Sequence, residues 1–252
     1  MTISVAQAQL FFLAFTRIMA VIIHVPVLGG QNIPSQVRIG LGFILAMVLI
    51  PWQPLASTAE AIGNFAYGVA IAKEIMIGTL LGYAADLAFG AIQMAGAAMG
   101  MGSGFESSRI FNPALGEAGS SFDQIFVMTA TMIFLVIDGH HLFLIALQNT
   151  FEMIPLNGPL PFNGLESVLR ATSGFISSGI HMAMPIIAAL ILTDLTLGLL
   201  ARVAPQVQVY FLGLPVKVVV AMLAMVMTFA AVFPYLGTLF ENMAESMLVF
   251  IK

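Results

Sequence analysis

Few residues of this chain have chemistry to offer, and most of those lie inside apolar stretches. Glu74, Asp86 and Asp194 are carboxylates within hydrophobic runs, accompanied by Arg17, Arg38, Lys73 and Lys217. Carboxylates at membrane depth can relay protons or couple ions. Asp138-Gly-His-His141 sets two imidazoles beside a carboxylate, which invites acid–base or metal chemistry. Adjacent histidines on a helix point about 100° apart, however, and neither has a ligand-type residue four positions away, so no metal site is expected. An intramembrane enzyme would need a paired nucleophile, and there is no Gly-x-Ser-x-Gly and no His-Glu-x-x-His. No glycine-rich loop ends in Gly-Lys-Ser/Thr, so nucleotide hydrolysis is not expected either. The expectation is a protein that is not an enzyme and has no cofactor.

Spacing then constrains the charged positions. Glu74, Gly78, Gly82, Asp86 and Gly90 recur at intervals of four and share one helix face. Such a face cannot point at lipid without a large penalty. It reads either as a buried packing seam with satisfied carboxylates or as a proton or ion relay. In a secondary transporter Glu74, Asp86 and Asp194 would be coupling carboxylates, but that reading predicts an internal repeat, and the two halves show no convincing similarity.

The elements that must hold these residues are hydrophobic helices. Of 252 residues 60% are hydrophobic and 8% charged, against about 25% charged in soluble domains. Mean hydropathy is +1.03. An all-α, polytopic helical membrane protein with about six hydrophobic segments and no soluble domain follows. A net charge of −4, scattered singly, leaves no basic patch for nucleic acid. Without cysteine there is no disulfide or thiolate site. The N-terminus lacks a basic leader and carries Arg17 inside its apolar run, so it is expected to be retained.

Taken in order, Val5–Leu28 is the first segment, ending near Pro26. Val37–Trp52, headed by Arg38, reaches only about 24 Å, short of a bilayer core of about 30 Å. Phe65–Met101 is too long for one simple span. Phe122–Phe151 is a pair of runs broken at Asp138-Gly-His-His141, and Glu152–Arg170 reads as an extended loop. Gly174–Val203 is a helix kinked near Pro185 and ended before Pro205. Pro205–Pro215 reads as a tight polar turn, and Val216–Phe240 as a span with Lys217 in its first turn, where the helix dipole disfavours a cation. Something else must favour Lys217, such as lipid phosphates or a partner's carboxylate. The bias of Arg38, Arg109, Arg202 and Lys217 to one side places those loops in the cytoplasm and both termini outside.

The middle of the chain is unlike the rest. Glycines recur at 96, 100 and 104 among methionines, then Phe105-Glu-Ser-Ser-Arg-Ile-Phe-Asn-Pro113 leads on to Asp123. Glycine four apart lets helices approach closely, and methionine fills irregular gaps. A polar loop with large aromatics lies at the bilayer surface or in a protein-lined cavity. It reads as a packing face followed by an ordinary loop, or as a mobile closure over a passage.

The stretch Asp194–Lys217 closely resembles the signature of the FliR/SctT family of flagellar and virulence type III secretion export-gate subunits. The resemblance rests on Asp194, Leu195, Gly198, Arg202, Pro205, Gln206, Phe211, Gly213, Pro215 and Lys217. Arg17 with Pro26, Ile33-Pro34, Val37-Arg38, Lys73-Glu74 with Gly78 and Gly82, and Asp138-Gly-His-His141 agree with it, so it covers essentially the full length. It implies a FliP-like part over about residues 1–170 and a FliQ-like part over about 171–252. Thr193–Phe240 is then the helical hairpin and Arg202–Lys217 its cytoplasm-facing tip, with Asp194, Gly198, Pro205, Gln206, Gly213 and Pro215 also meeting partners. The implied partners are FliP-type and FliQ-type subunits, an FlhB-type switch protein, membrane lipid and unfolded export substrates. The implied setting is the bacterial inner membrane at the flagellar basal body. The family's mid-chain loop plugs the channel, which maps here to residues 104–123. Phe105, Ile110, Phe111, Asn112 and Pro113 would be the plug, and Met99, Gly100, Met101, Gly102 and Gly104 its hinge and gasket. Many relatives have Asp-Pro where this chain has Asn112-Pro113. Arg17, Arg38, Lys73, Glu74 and Asp86 would be buried charges wrapped by protein.

Overall fold

The computed structural model describes residues 4–30, 33–49, 62–104, 121–158, 165–206 and 208–250. Backbone groups in lipid must be satisfied within their own segment, so an apolar chain of this kind folds into helices. The described residues form α1 (Val5–His24), α2 (Pro26–Gly29), α3 (Ser35–Leu49), α4 (Asn64–Ser103), α5 (Ser121–Val136), α6 (Gly139–Met153), α7 (Leu165–Val203) and α8 (Val209–Val249), and they contain no strand. Four stretches, in α1, α4, α7 and α8, are long and apolar enough to cross a membrane, or up to five if the broken pair α5 and α6 counts as one span. The shorter apolar α3 adds a further hydrophobic segment.

Local chemistry sets the helix ends. Ser4 caps α1 reciprocally: the Gln7 N–H donates to Ser4 Oγ at 3.2 Å, and the Ser4 N–H donates to Gln7 Oε1 at 3.0 Å. Val25 is extended, and Pro26 opens α2 where a missing N–H costs nothing. The corner closes so tightly that a Cβ on Gly29 would stand 2.1 Å from the Ile22 carbonyl oxygen, so only glycine fits there.

Two boundaries differ from the sequence reading. The helix expected from Gly174 starts at Leu165, so the loop expected to reach Arg170 is shorter; Glu166 and Arg170 pair across one turn at 2.9 Å. The second arm starts at Val209 rather than Val216, and Pro215 lies inside it. Proline there forfeits only the bond to the Phe211 carbonyl, which a helix of 41 residues absorbs. Lys217 consequently sits beyond the first turn, clear of the dipole penalty.

Two compact units make up the chain, and the division falls within α4, α7 and α8 and at the turn after α5. The first comprises residues 1–87, 139–172 and 241–252. Its core gathers Leu13, Ile18 and Val21 of α1, Ile77 and Leu81 of α4, and Phe143 and Leu147 of α6, all buried. Phe11 meets Phe43 of α3 edge-on at 5.2 Å. The Gln9 amide clasps the backbone of Ile62, donating to its carbonyl at 2.9 Å and accepting from its N–H at 2.8 Å.

The second unit comprises residues 88–138 and 173–240. Phe89, Phe134 and Phe240 form its aromatic centre, with ring centroids 4.9–5.9 Å apart. Phe126 and Phe229 meet at 4.8 Å. Ile92, Ala95, Met182, Ile186 and Ala221 complete the packing. Gly179 lets α7 close on α4; a Cβ there would be 2.7 Å from the Ala91 carbonyl oxygen.

Candidate functional site

An arginine inside a greasy helix needs a carboxylate and further acceptors around it, because an unpaired buried charge is prohibitively costly. Arg17 is fully buried and has both. Its Nε donates to Glu74 Oε2 at 2.5 Å and its Nη2 to Glu74 Oε1 at 3.2 Å, a bidentate pair between α1 and α4. Nη1 donates to the carbonyls of Thr150 and Ile154 at 3.2 and 3.0 Å, satisfying acceptors at the end of α6. The guanidinium also lies over the Phe151 ring, 4.5 Å from its centroid. One side chain thus ties three helices together.

The four-spaced face of α4 packs against α1 for part of its length. A Cβ on Gly78 would come within 2.6 Å of the Arg17 carbonyl oxygen, and one on Gly82 within 2.6 Å of His24 Cβ. His24 Nδ1 and Asp86 Oδ2 meet at 2.7 Å in a half-exposed pair. At Gly90 the face is open, with nothing within 4 Å of an added Cβ. Lys73 is partly buried, and Arg38 donates to the Gly29 carbonyl at 3.2 Å while its buried Nε has no partner among the described residues.

In the second unit Lys217 of α8 pairs with Asp194 of α7. The carboxylate favouring Lys217 is therefore the chain's own. Gly213 accepts the Leu197 side chain, which a Cβ would meet at 3.2 Å. Gly198, Arg202, Pro205, Gln206 and Pro215 are exposed. The structure thus brings Asp194, Lys217 and Gly213 into the packing between the two arms and leaves the other signature residues uncovered.

Phe105, Ile110, Phe111, Asn112 and Pro113, expected to form a plug, lie outside the described residues, as does most of the stretch 104–123. Before them, Met99, Gly100 and Ser103 are buried and Met101 is exposed. Gly100 and Gly102 remain helical, whereas Gly104 takes φ 79, a left-handed conformation that favours glycine. The chain leaves α4 at that residue.

At the break after α5, Asp138 has φ 57, and the rings of His140 and His141 lie 4.3 Å apart. Within this turn Asp138, His140 and His141 can each bring one ligand atom within 4.8 Å of the others, closer than adjacent histidines were expected to allow. Each of the three already has an interaction within the protein.

Sequence reasoning missed the carbonyls of Thr150 and Ile154, the Phe151 face and the His24–Asp86 pair. The signal for a partner was present in part: a lone arginine in the first apolar segment demands a carboxylate.

These features describe a helical protein with apolar helices of membrane-crossing length, in which Arg17, Glu74, Asp194 and Lys217 are paired between its own helices. Comparison with known proteins then gives its family. A profile described as bacterial export proteins, family 1, matches residues 8–243, and the chain belongs to that family. It is 30% identical over 236 residues to the flagellar biosynthetic protein FliR of Pectobacterium carotovorum subsp. carotovorum, covering 93% of this chain and 90% of that protein. It is 29% identical over 235 residues to FliR of Escherichia coli strain K12, covering 93% and 89%. It is 28% identical over 241 residues to FliR of Bacillus subtilis strain 168, covering 94% and 92%.

Proposed function

We propose that this chain is a subunit of the flagellar protein export apparatus, a structural, channel-forming member of its gate in the bacterial inner membrane. Near-complete coverage of FliR proteins from distant bacteria supports the apparatus assignment. The observation that carries the structural role is the Arg17–Glu74 centre, which commits an intramembrane carboxylate to holding helices together. Asp194 is likewise engaged, by Lys217. Carboxylates already paired with permanent cations are poor carriers for a transported ion, which favours the gate over a secondary transporter.

On this reading FliP-type, FliQ-type and FlhB-type proteins cover the exposed faces of α7 and α8, whose membrane-length windows are only 17% and 22% buried in the chain alone. The loop beyond Gly104 closes the passage with Phe105, Ile110 and Phe111 and moves aside for unfolded substrate. Other proteins supply the energy. Deleting residues 104–110 tests the closure: ion conductance of the intact purified complex should rise. Unchanged conductance in a fully assembled complex rejects the plug.

A further inference from the structure

Two of the chain's four histidines, His140 and His141, stand side by side just after Asp138, and the chain has no cysteine to compete for a metal ion. In a regular helix the side chains of neighbouring residues point about 100° apart. The turn here departs from that rule. Asp138 is left-handed, with φ 57, so α6 starts abruptly at Gly139 and both histidines fall in its first turn. Their rings lean together, with centroids 4.3 Å apart and planes inclined at 38°. One oxygen of Asp138 and one nitrogen from each ring then lie within 4.8 Å of one another. All three side chains come from one run of four residues, so the cluster belongs to the turn itself. Among the described residues no other trio of ligand-type side chains converges in this way.

Two imidazoles and a carboxylate suit zinc, nickel or copper(II) better than magnesium or calcium, which take oxygen donors. A tetrahedral zinc ion holds such donors about 3.4 Å apart. Asp138 and His141 are exposed and His140 is partly so, which leaves room for the small side-chain rotations that close the remaining distance. The dipole of α6 disfavours a cation at its first turn, but that field is weak beside three ligand bonds. Each of the three residues already has an interaction within the protein, which an ion has to accommodate or displace. The affinity is therefore modest, and the coordination positions left over fall to water. The other two histidines offer no comparable set: His24 is held by Asp86, and His181 belongs to no such group.

We infer that this turn binds one divalent transition-metal ion through Asp138, His140 and His141, and that the ion pins the start of α6. The ion binds whether or not the chain closes a passage.

The probe is zinc alone, titrated into the complete complex purified without a polyhistidine tag and stripped with chelator. Competition with a chromophoric chelator reads both the affinity and the number of sites. The parent should bind one zinc ion more per copy of this chain than the double variant His140→Gln with His141→Gln. Asp138→Asn and His141→Gln should each weaken that ion at least about tenfold, since even outer-shell changes cost that much. Asparagine tolerates the left-handed backbone at 138, and His141 is exposed, so both single variants should assemble. His181→Gln should bind like the parent, and excess magnesium should not displace the ion. Equal zinc binding by the parent and the double variant overturns the inference, as does displacement by magnesium. Where the double variant fails to assemble, His141→Gln decides: an affinity equal to the parent's overturns the site, and a tenfold loss in a complex that melts like the parent supports ligation over a structural role.

Discussion

Arg17 and Glu74, 57 residues apart in sequence, meet in a buried bidentate pair whose closest atoms are 2.5 Å apart. A surface pair adds little to stability, but breaking a buried one leaves an uncompensated charge among apolar side chains.

Arg17→Met alone, or Glu74→Leu alone, should destabilise the protein by about 3–5 kcal/mol. The double variant should recover most of that loss, because it buries no charge. Thermal unfolding of the purified complex measures this, and singles as stable as the parent would remove the pair from its structural role.

The glycines on the α4 face are not equivalent. Gly78→Ala should cost about 1–3 kcal/mol, since its methyl meets the backbone of α1. Gly90→Ala meets nothing and should gain up to about 1 kcal/mol from helix propensity. Equal melting points for the two variants would contradict the packing described.

The Asp194–Lys217 pair is partly open to solvent, with side-chain exposures of 52% and 24%. Neutralising either residue should therefore cost about 1 kcal/mol or less in fold stability, and less still at high salt. A double-mutant cycle with Asp194→Asn and Lys217→Gln measures the coupling directly. A coupling above about 3 kcal/mol would show that the pair is buried in the working assembly.

How much was legible in the sequence follows from the reach of each interaction. Helix identity came from composition, because lipid leaves the backbone few other options. The stop at Val203 came from Pro205, a local effect. Pro215 misled for the same reason: read locally it starts a helix, yet the helix already under way simply runs through it. The α4 glycine face was legible as a seam, but its length was not, since an added Cβ meets α1 at Gly78 and Gly82 and nothing within 4 Å at Gly90. The need for a partner could be read from Arg17, but the carbonyls of Thr150 and Ile154 could not. Any helix end offers such acceptors, and only folding selects among them. For the candidate site the family signature marked the Asp194–Lys217 region, and side-chain reach decided that those two residues pair with each other.

The ligands of Arg17 also set a timetable for biogenesis. The ribosome delivers the guanidinium first, its carboxylate 57 residues later, and the two carbonyls only after 133 and 137. Until Ile154 has emerged, α1 holds a cation with no complete set of acceptors. Its residence in the bilayer is provisional over that interval, and the insertion machinery has to shelter the first helix until α6 arrives.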